Sequence, residues 1–267
     1  MKLYISADIE GVCGVTSWSE TELTNRESAS FISAWTKEIQ KVIEVAIEQG
    51  YDEIYLNDAH DTARNLLPES FPKEVRLIRG WSGHPYGMVE GIDSTFDAAI
   101  FVGFHSRAGS NTSPLAHTSY PRVVRSMRIN GEPASEFLLY YLTCCYEKVP
   151  VIMVVGDMGI CKDVNKINKD IFTVVTKEGF GGATINYNPK VVNDEIKNNT
   201  EHALKQSIQV KPLPPSFEVE VTFVKHMDAY KASFYKDCVA DKDGYTIKYR
   251  AIDYFDVLRF FVFVLGK

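Results

Sequence analysis

MKLYISADIEG, at residues 1–11, is the stretch that decides the fold. Leu3, Tyr4 and Ile5 predict a β-strand, and Asp8 and Glu10 follow at its carboxyl end, the edge where open α/β sheets bind their ligands. Because side chains alternate along an extended strand, the two carboxylates are predicted to point the same way. An acidic residue after a strand is also typical of a cap or a turn, so the pair alone does not establish a site.

The same arrangement occurs twice more along the chain. Residues 52–56 predict a second strand, which runs into a polar cluster containing His60, and residues 98–104 predict a continuously apolar strand that ends at His105. Between the first two strands, apolar residues at helical spacing predict a helix over 28–49. Strands that alternate with helices indicate an α/β fold, with a mostly parallel sheet and helices on both faces.

Further elements of both kinds are predicted up to residue 208. They are strands at 75–78, 123–129, 149–155 and 171–175, and helices at 134–146 and 189–208. Pro133 is predicted to open the first of these helices. Glu136 then lies in its first turn, where the helix dipole stabilises a carboxylate.

The composition excludes several classes of protein. A formal net charge of −6, without clustered Lys or Arg, argues against nucleic acid or a membrane as partner. Asp8 and Glu10 interrupt any apolar leader, and the apolar run at 260–265 is too short to span a bilayer, so a cytoplasmic location is expected. The five cysteines are odd in number and show no C-x-x-C spacing, which is typical of buried thiols.

Carboxylates and imidazoles are predicted to meet at one edge of the sheet. They are Asp8, Glu10, His60, His105 and Glu136. This mixture without cysteine suits zinc or manganese. The set is too large for a single catalytic zinc, which normally takes three protein ligands, so two metals bridged by Asp8 are the better interpretation. The reaction class that follows is hydrolysis.

His117 has a different position, on a loop twelve residues after His105. It is predicted to reach the site from the side, as a general acid/base or as a group that stabilises an oxyanion. The alternative is an ordinary surface histidine. His84, His202 and His226 receive no site assignment.

KPLPP at residues 211–215 is the one plausible domain boundary. The predicted division is a metal-binding α/β catalytic domain over 1–212 and a small C-terminal α+β module over 213–267. The module's last helix carries aromatic side chains around most of its surface, among them Phe260 and Phe263. Either the same chain or another subunit must cover them, so the module is a candidate for oligomer contacts.

Several motifs occur in order over most of the first 160 residues. They are Asp8-x-Glu10-Gly11, Asn57-Asp58-Ala59-His60 with Asn65, Met88-Val89-Glu90-Gly91, Gly103-Phe104-His105-Ser106-Arg107-Ala108, His117, and Glu136 after Ile129-Asn130. In their order and spacing these motifs resemble the DppA-type D-aminopeptidase family of metallopeptidases. The chain departs from the family pattern at Ser135, where the family has glycine, and in the segment 176–182, which lacks an arginine after Lys177. These differences concern the pocket and therefore the identity of the substrate.

The resemblance implies a zinc-dependent metallo-aminopeptidase that acts on short peptides with D-residues at the amino end. It implies two zinc ions per chain, with manganese or cobalt as possible substitutes, and a ring-shaped homo-oligomer, decameric in the best-known member of the family. The implied metal ligands are Asp8, Glu10, His60, His105 and Glu136, with Asp8 bridging, and His117 is the implied catalytic residue. A two-metal phosphoesterase or another amidohydrolase remains an alternative, as does a non-catalytic metal-binding or ring-forming protein.

Overall fold

The computed structural model describes residues 1–266. Its strands, in chain order, are β1 (Lys2–Ala7), β2 (Glu53–Asp58), β3 (Val75–Ile78), β4 (Ala98–Phe104), β5 (Val124–Ile129), β6 (Glu132–Pro133), β7 (Val151–Gly156), β8 (Phe172–Val175), β9 (Lys177–Phe180), β10 (Ala183–Asn186), β11 (Phe217–Phe223), β12 (Val239–Ala240) and β13 (Thr246–Ala251). Its α-helices are α1 (Ser28–Glu48), α2 (Glu136–Tyr146), α3 (Met158–Ile167), α4 (Pro189–Lys205), α5 (His226–Ala232) and α6 (Tyr254–Leu265).

A six-stranded parallel sheet in the order β3-β2-β1-β4-β7-β8 forms the centre of the fold. β1 lies between β2 and β4, and Leu3 pairs in register with Ile54 and Ala98. β4 and β7 are buried along their whole length, which explains their continuously apolar sequences. The predicted α/β class with a mostly parallel sheet is confirmed.

The two faces of this sheet belong to two apolar cores, because side chains alternate along each strand. Leu3 and Ile5 of β1 pack in one core with α1 and α4. Tyr4, which points to the other face, packs in a second core with α2, α3 and α6. The helices therefore cover both faces, as predicted.

A second, five-stranded sheet has the order β12-β13-β11-β5-β6 and is antiparallel. Asn130 and Gly131, both with positive φ, form the two-residue turn between β5 and β6. β11 pairs with β5, so this sheet joins strands from both sides of the predicted boundary at 212/213. The division into 1–212 and 213–267 stays a prediction.

Three local predictions need correction or addition. Pro133 lies in β6 and does not open a helix. Helix α2 begins at Glu136, and the Ser135 hydroxyl caps it by accepting a hydrogen bond from the Leu138 N–H at 3.2 Å. Sequence patterns also missed α3 and the hairpin of β9 and β10.

None of the helices within residues 1–266 has the length and apolarity to cross a membrane. Four of the five cysteines are buried, as predicted; Cys238 is half-buried, and none of them forms a disulfide.

Candidate metal centre

Three adjacent strands deliver their polar ends to one edge of the parallel sheet. Asp8 and Glu10 follow β1, His60 follows β2 and His105 follows β4. Glu136, the first residue of α2, reaches the same edge. All five residues are buried, at 6% exposure or less. The structure thus brings together all the residues that the sequence singled out as metal ligands.

Asp8, Glu10 and His60 form the first group of ligand-type atoms. The Nδ1 of His60 lies 3.3 Å from Asp8 Oδ1 and 3.1 Å from Glu10 Oε2. Its Nε2 lies 3.1 Å from the backbone carbonyl oxygen of Thr21. That carbonyl can only accept, so it places the ring proton on Nε2 and leaves the lone pair of Nδ1 facing the carboxylates, which is the arrangement of a metal-binding histidine.

His105, His117 and Glu136 form the second group. The Nε2 atoms of His105 and His117 lie 3.1 Å and 3.5 Å from the oxygens of Glu136. Each Nδ1 faces a backbone carbonyl, that of Ser106 at 2.9 Å and that of Leu115 at 2.8 Å. Both rings are therefore oriented by the main chain, with the second nitrogen directed to the carboxylate.

Asp8 connects the two groups. Its Oδ1 lies 3.3 Å from His60, and its Oδ2 lies 3.3 Å from the Nε2 of His105. One carboxylate therefore faces both histidines with different oxygens, which is the position that a bridging ligand requires.

The donor set fits divalent cations. Asp8 Oδ2 and Glu10 Oε2 are buried and have no hydrogen-bond partner among residues 1–266. An unpaired buried carboxylate oxygen is costly, and a coordinated cation removes that cost. Nitrogen and oxygen donors without thiolate suit zinc or manganese.

Electrostatics distinguish the members of the centre. Burial, followed by the negative charge of Glu10, raises the pKa of Asp8 well above its usual range. Burial, followed by the positive charge of His105, lowers the pKa of His117. The first effect reflects a buried carboxyl with a second one beside it, and the second favours a neutral imidazole at His117.

Supporting residues hold the loops that carry the ligands. Asp157, the residue before α3, accepts hydrogen bonds from the N–H and the hydroxyl of Ser106, at 2.8 Å and 2.6 Å, and so holds the residue next to His105. The Ser119 N–H donates to Glu136 Oε1 at 2.6 Å. These roles and that of Thr21 were not predicted from the sequence. For Asp157 a signal existed, since an aspartate that follows an apolar strand and precedes a helix is typical of a cap.

The centre opens into a cavity of about 940 Å³. Trp18, which packs edge-on against the ring of His117 with centroids 5.1 Å apart, lines one part of it. Another wall is apolar and comes from α6, through Leu258, Phe261, Val262 and Leu265. His84 also lines the cavity, whereas His202 is exposed on α4 and His226 lines a separate, smaller cavity.

Comparisons with known proteins agree with this geometry. The family model of Peptidase M55, described as D-aminopeptidase, matches residues 1–263. A D-aminopeptidase of Bacillus subtilis (strain 168) is 32% identical over 216 residues, which cover 80% of this chain and 78% of that protein. The structure of the Zn-dependent D-aminopeptidase DppA from Bacillus subtilis, a self-compartmentalizing protease, superposes with a TM-score of 0.92 at 27% identity, covering 99% of this chain and 97% of that one.

These matches confirm the resemblance seen in the sequence motifs and the predicted enzyme class, a metallo-aminopeptidase. The family match spans nearly the whole chain, including both groups of ligand-type residues. The chain belongs to the D-aminopeptidase family.

Proposed function

We propose that this chain is a dinuclear-zinc aminopeptidase that hydrolyses the N-terminal peptide bond of short peptides with a D-residue at the amino end. The observation that carries the proposal is the position of Asp8, whose two oxygens face His60 on one side and His105 on the other. The zinc dependence and the D-aminopeptidase activity of the Bacillus subtilis protein support the choice of metal and substrate.

The proposed ligands divide into two sets that share Asp8. Glu10 and His60 complete one set, and His105 and Glu136 complete the other. Bound zinc would polarise the scissile carbonyl and make a water molecule acidic enough to attack near neutral pH. Manganese or cobalt, which accept similar ligands, are possible substitutes.

His117 is the proposed catalytic residue. Its Nδ1 faces the Leu115 carbonyl, so the ring proton lies on Nδ1 and the lone pair of Nε2 is free to accept a proton. The residue also lines the cavity that a substrate would enter. It can therefore take a proton during attack and return it to the leaving amine.

Assembly into a closed homo-oligomer, decameric by family resemblance, is part of the proposal. The Bacillus subtilis relative is described as self-compartmentalizing. In the segment 213–267, the predicted C-terminal module, Tyr230, Phe234 and Ile252 are exposed by 69%, 72% and 81%. The rings of Tyr230 and Phe234 pack together, with centroids 5.0 Å apart. Large apolar side chains exposed together are typical of an interaction surface, so this module is the proposed source of subunit contacts.

The test is hydrolysis of D- and L-aminoacyl dipeptides by zinc-supplemented protein, measured as release of the free amino acid, with a phosphate monoester assayed in parallel. We expect release from a D-aminoacyl peptide and loss of that activity in His60→Ala. His84→Ala, which alters the same cavity away from the carboxylates, is the matched control and should stay active. Turnover of the phosphate ester without any peptide cleavage would favour the phosphoesterase alternative.

A further inference from the structure

The cavity that contains the metal centre has an uneven distribution of charge. Outside the proposed ligands, three carboxylates line it, those of Glu22, Asp61 and Glu90. Among its lining residues within 1–266, Arg122 is the single Lys or Arg. Apart from the proposed zinc ions, a negatively charged group that entered this cavity would therefore find one permanent positive charge among these residues.

No carboxylate within residues 1–266 forms an ion pair with Arg122. The arginines that form ion pairs within the described chain are Arg76, Arg107 and Arg259. Arg122 is exposed to the cavity and to solvent, although three carboxylates line the same space. Its guanidinium keeps its donors available for a ligand, and two parallel donors match the geometry of a carboxylate.

The backbone that carries Arg122 is fixed relative to the metal centre. The Tyr120 carbonyl accepts hydrogen bonds from the N–H groups of Val123 at 2.9 Å and Val124 at 2.8 Å, which closes a turn over Arg122 at the start of β5. One residue before Tyr120, the Ser119 N–H holds Glu136 Oε1 at 2.6 Å. Arg122 is therefore anchored three residues from Ser119, which itself contacts a proposed metal ligand.

Resting on the proposed function, we propose that Arg122 binds the C-terminal carboxylate of the peptide substrate and so selects short peptides. An aminopeptidase places the first peptide bond at the metal centre, and each further residue extends the substrate by about 3.3–3.6 Å. The carboxylate of a dipeptide or tripeptide would thus lie within roughly one to two residues of the reacting carbonyl. Arg122, three residues from the Ser119 contact with Glu136, has a side chain long enough to meet it there.

The test compares two substrates in the wild type and in two variants of Arg122. Alanylglycine, in the enantiomer that the enzyme cleaves faster, is compared with its C-terminal amide, which lacks the negative charge. We expect Arg122→Gln to lower kcat/KM on the free acid by roughly tenfold to a hundredfold, through KM, because a charge-assisted hydrogen bond is lost. The amide should change by less than about threefold, and Arg122→Lys should recover part of the activity on the acid.

A binding measurement separates this proposal from the proposed function. Calorimetric titration of the metal-loaded protein uses a dipeptide analogue with a reduced, uncleavable amide bond, as free acid and as amide. The acid should bind more tightly to the wild type, and Arg122→Gln should remove the difference. Arg125→Gln, an exposed arginine that lies outside the cavity, is the matched control and should behave as wild type.

Two results would overturn the role of Arg122. Equal losses on acid and amide would mean that the guanidinium acts on something common to both, such as the reacting carbonyl. Equal affinity of the two analogues for the wild type would mean that the carboxylate is not recognised. If peptides were cleaved with either result, the proposed function would stand without this role.

Discussion

The imidazole rings of His105 and His117 lie parallel, with centroids 4.0 Å apart and an angle of 8° between their planes. Two positively charged rings at this distance would repel each other, and burial, followed by the charge of His105, lowers the pKa of His117. His117 is therefore the ring that gives up its charge first. A neutral imidazole over the metal centre is what a proton acceptor requires.

His117→Ala is expected to keep both metals and to lower kcat on a D-aminoacyl peptide by roughly 10²–10⁴-fold, the usual effect of removing a positioned acid/base. Elemental analysis and steady-state kinetics of the same preparation measure the two quantities. One ligand-type atom of His117 lies within 4.8 Å of those of His105 and Glu136. Loss of a metal in the variant would therefore show that His117 is itself a ligand. Full activity would remove any role for this residue.

Wild-type protein supplemented with zinc is expected to bind about two ions per chain, and His60→Ala to lose at least one. The reason is that deletion of the imidazole leaves Glu10 and Asp8 as the only proposed ligands of one ion. His84→Ala is the control, since this ring lines the cavity and belongs to neither group of ligand-type residues. A wild-type content of one ion or none would contradict the dinuclear proposal.

Sedimentation velocity at micromolar concentration is expected to show a large closed oligomer. Phe234→Glu, which places a charge on the exposed surface of the C-terminal module, should shift the protein to smaller species. A monomeric wild type would contradict the proposed assembly. Unchanged assembly of the variant would contradict the proposal that this surface forms subunit contacts.

Glu38 gives a prediction for the pH dependence of stability. This α1 residue is buried, and burial raises its pKa from 4.5 to about 7, although its Oε1 accepts a hydrogen bond from the Cys13 N–H at 3.0 Å. The folded protein holds the proton of Glu38 more tightly than the unfolded chain does. Protonated Glu38 therefore makes its full contribution to the free energy of unfolding below about pH 4.5, and this contribution is lost as the pH rises through about 7.

Glu38→Gln keeps the acceptor oxygen and removes the charge. The variant should match the wild type below about pH 4.5 and exceed it at pH 8, with an upper limit of about 3 kcal/mol in the free energy of unfolding. Denaturant unfolding at a fixed zinc concentration across this range provides the measurement. A wild type that is the more stable protein at pH 8 would show that the carboxylate charge is compensated.

Gly103 is expected to tolerate no side chain. It has φ of +76°, and an added Cβ would overlap the Asp8 carbonyl oxygen where β1 and β4 meet. Gly103→Ala should therefore lower the free energy of unfolding by at least about 2 kcal/mol, from backbone strain and overpacking together. Gly182→Ala is the control, because its added Cβ would meet open space. Equal Tm values for the two variants would contradict this account.

The sequence predicted the parallel sheet and its polar edge because both depend on local patterns. The apolar run 98–104 became β4 over the same residues, and His105 follows it as a ligand-type residue. The pairing of β11 with β5 could not be predicted, since it joins segments about 90 residues apart through contacts that no local pattern encodes. The β9–β10 hairpin was missed because its glycines read as a loop.

Within the site, residue identities could be predicted but orientations could not. Which nitrogen of His60 faces the carboxylates depends on the Thr21 carbonyl, which reaches it from another loop. A backbone carbonyl is the same in every residue and leaves no trace in the sequence. The role of Asp157 likewise depends on its contact with Ser106, which the fold alone creates.

The apolar wall from α6 contributes Leu258, Phe261 and Val262 to the cavity but none of the proposed ligands. The ligands come from the edge of the parallel sheet and from the start of α2. Exchanges of side chain along α6 would thus reshape the space for substrate while the coordinating atoms keep their positions. This division would allow the substrate range of related enzymes to diverge through substitutions in one helix, while each intermediate sequence keeps the residues needed for the reaction.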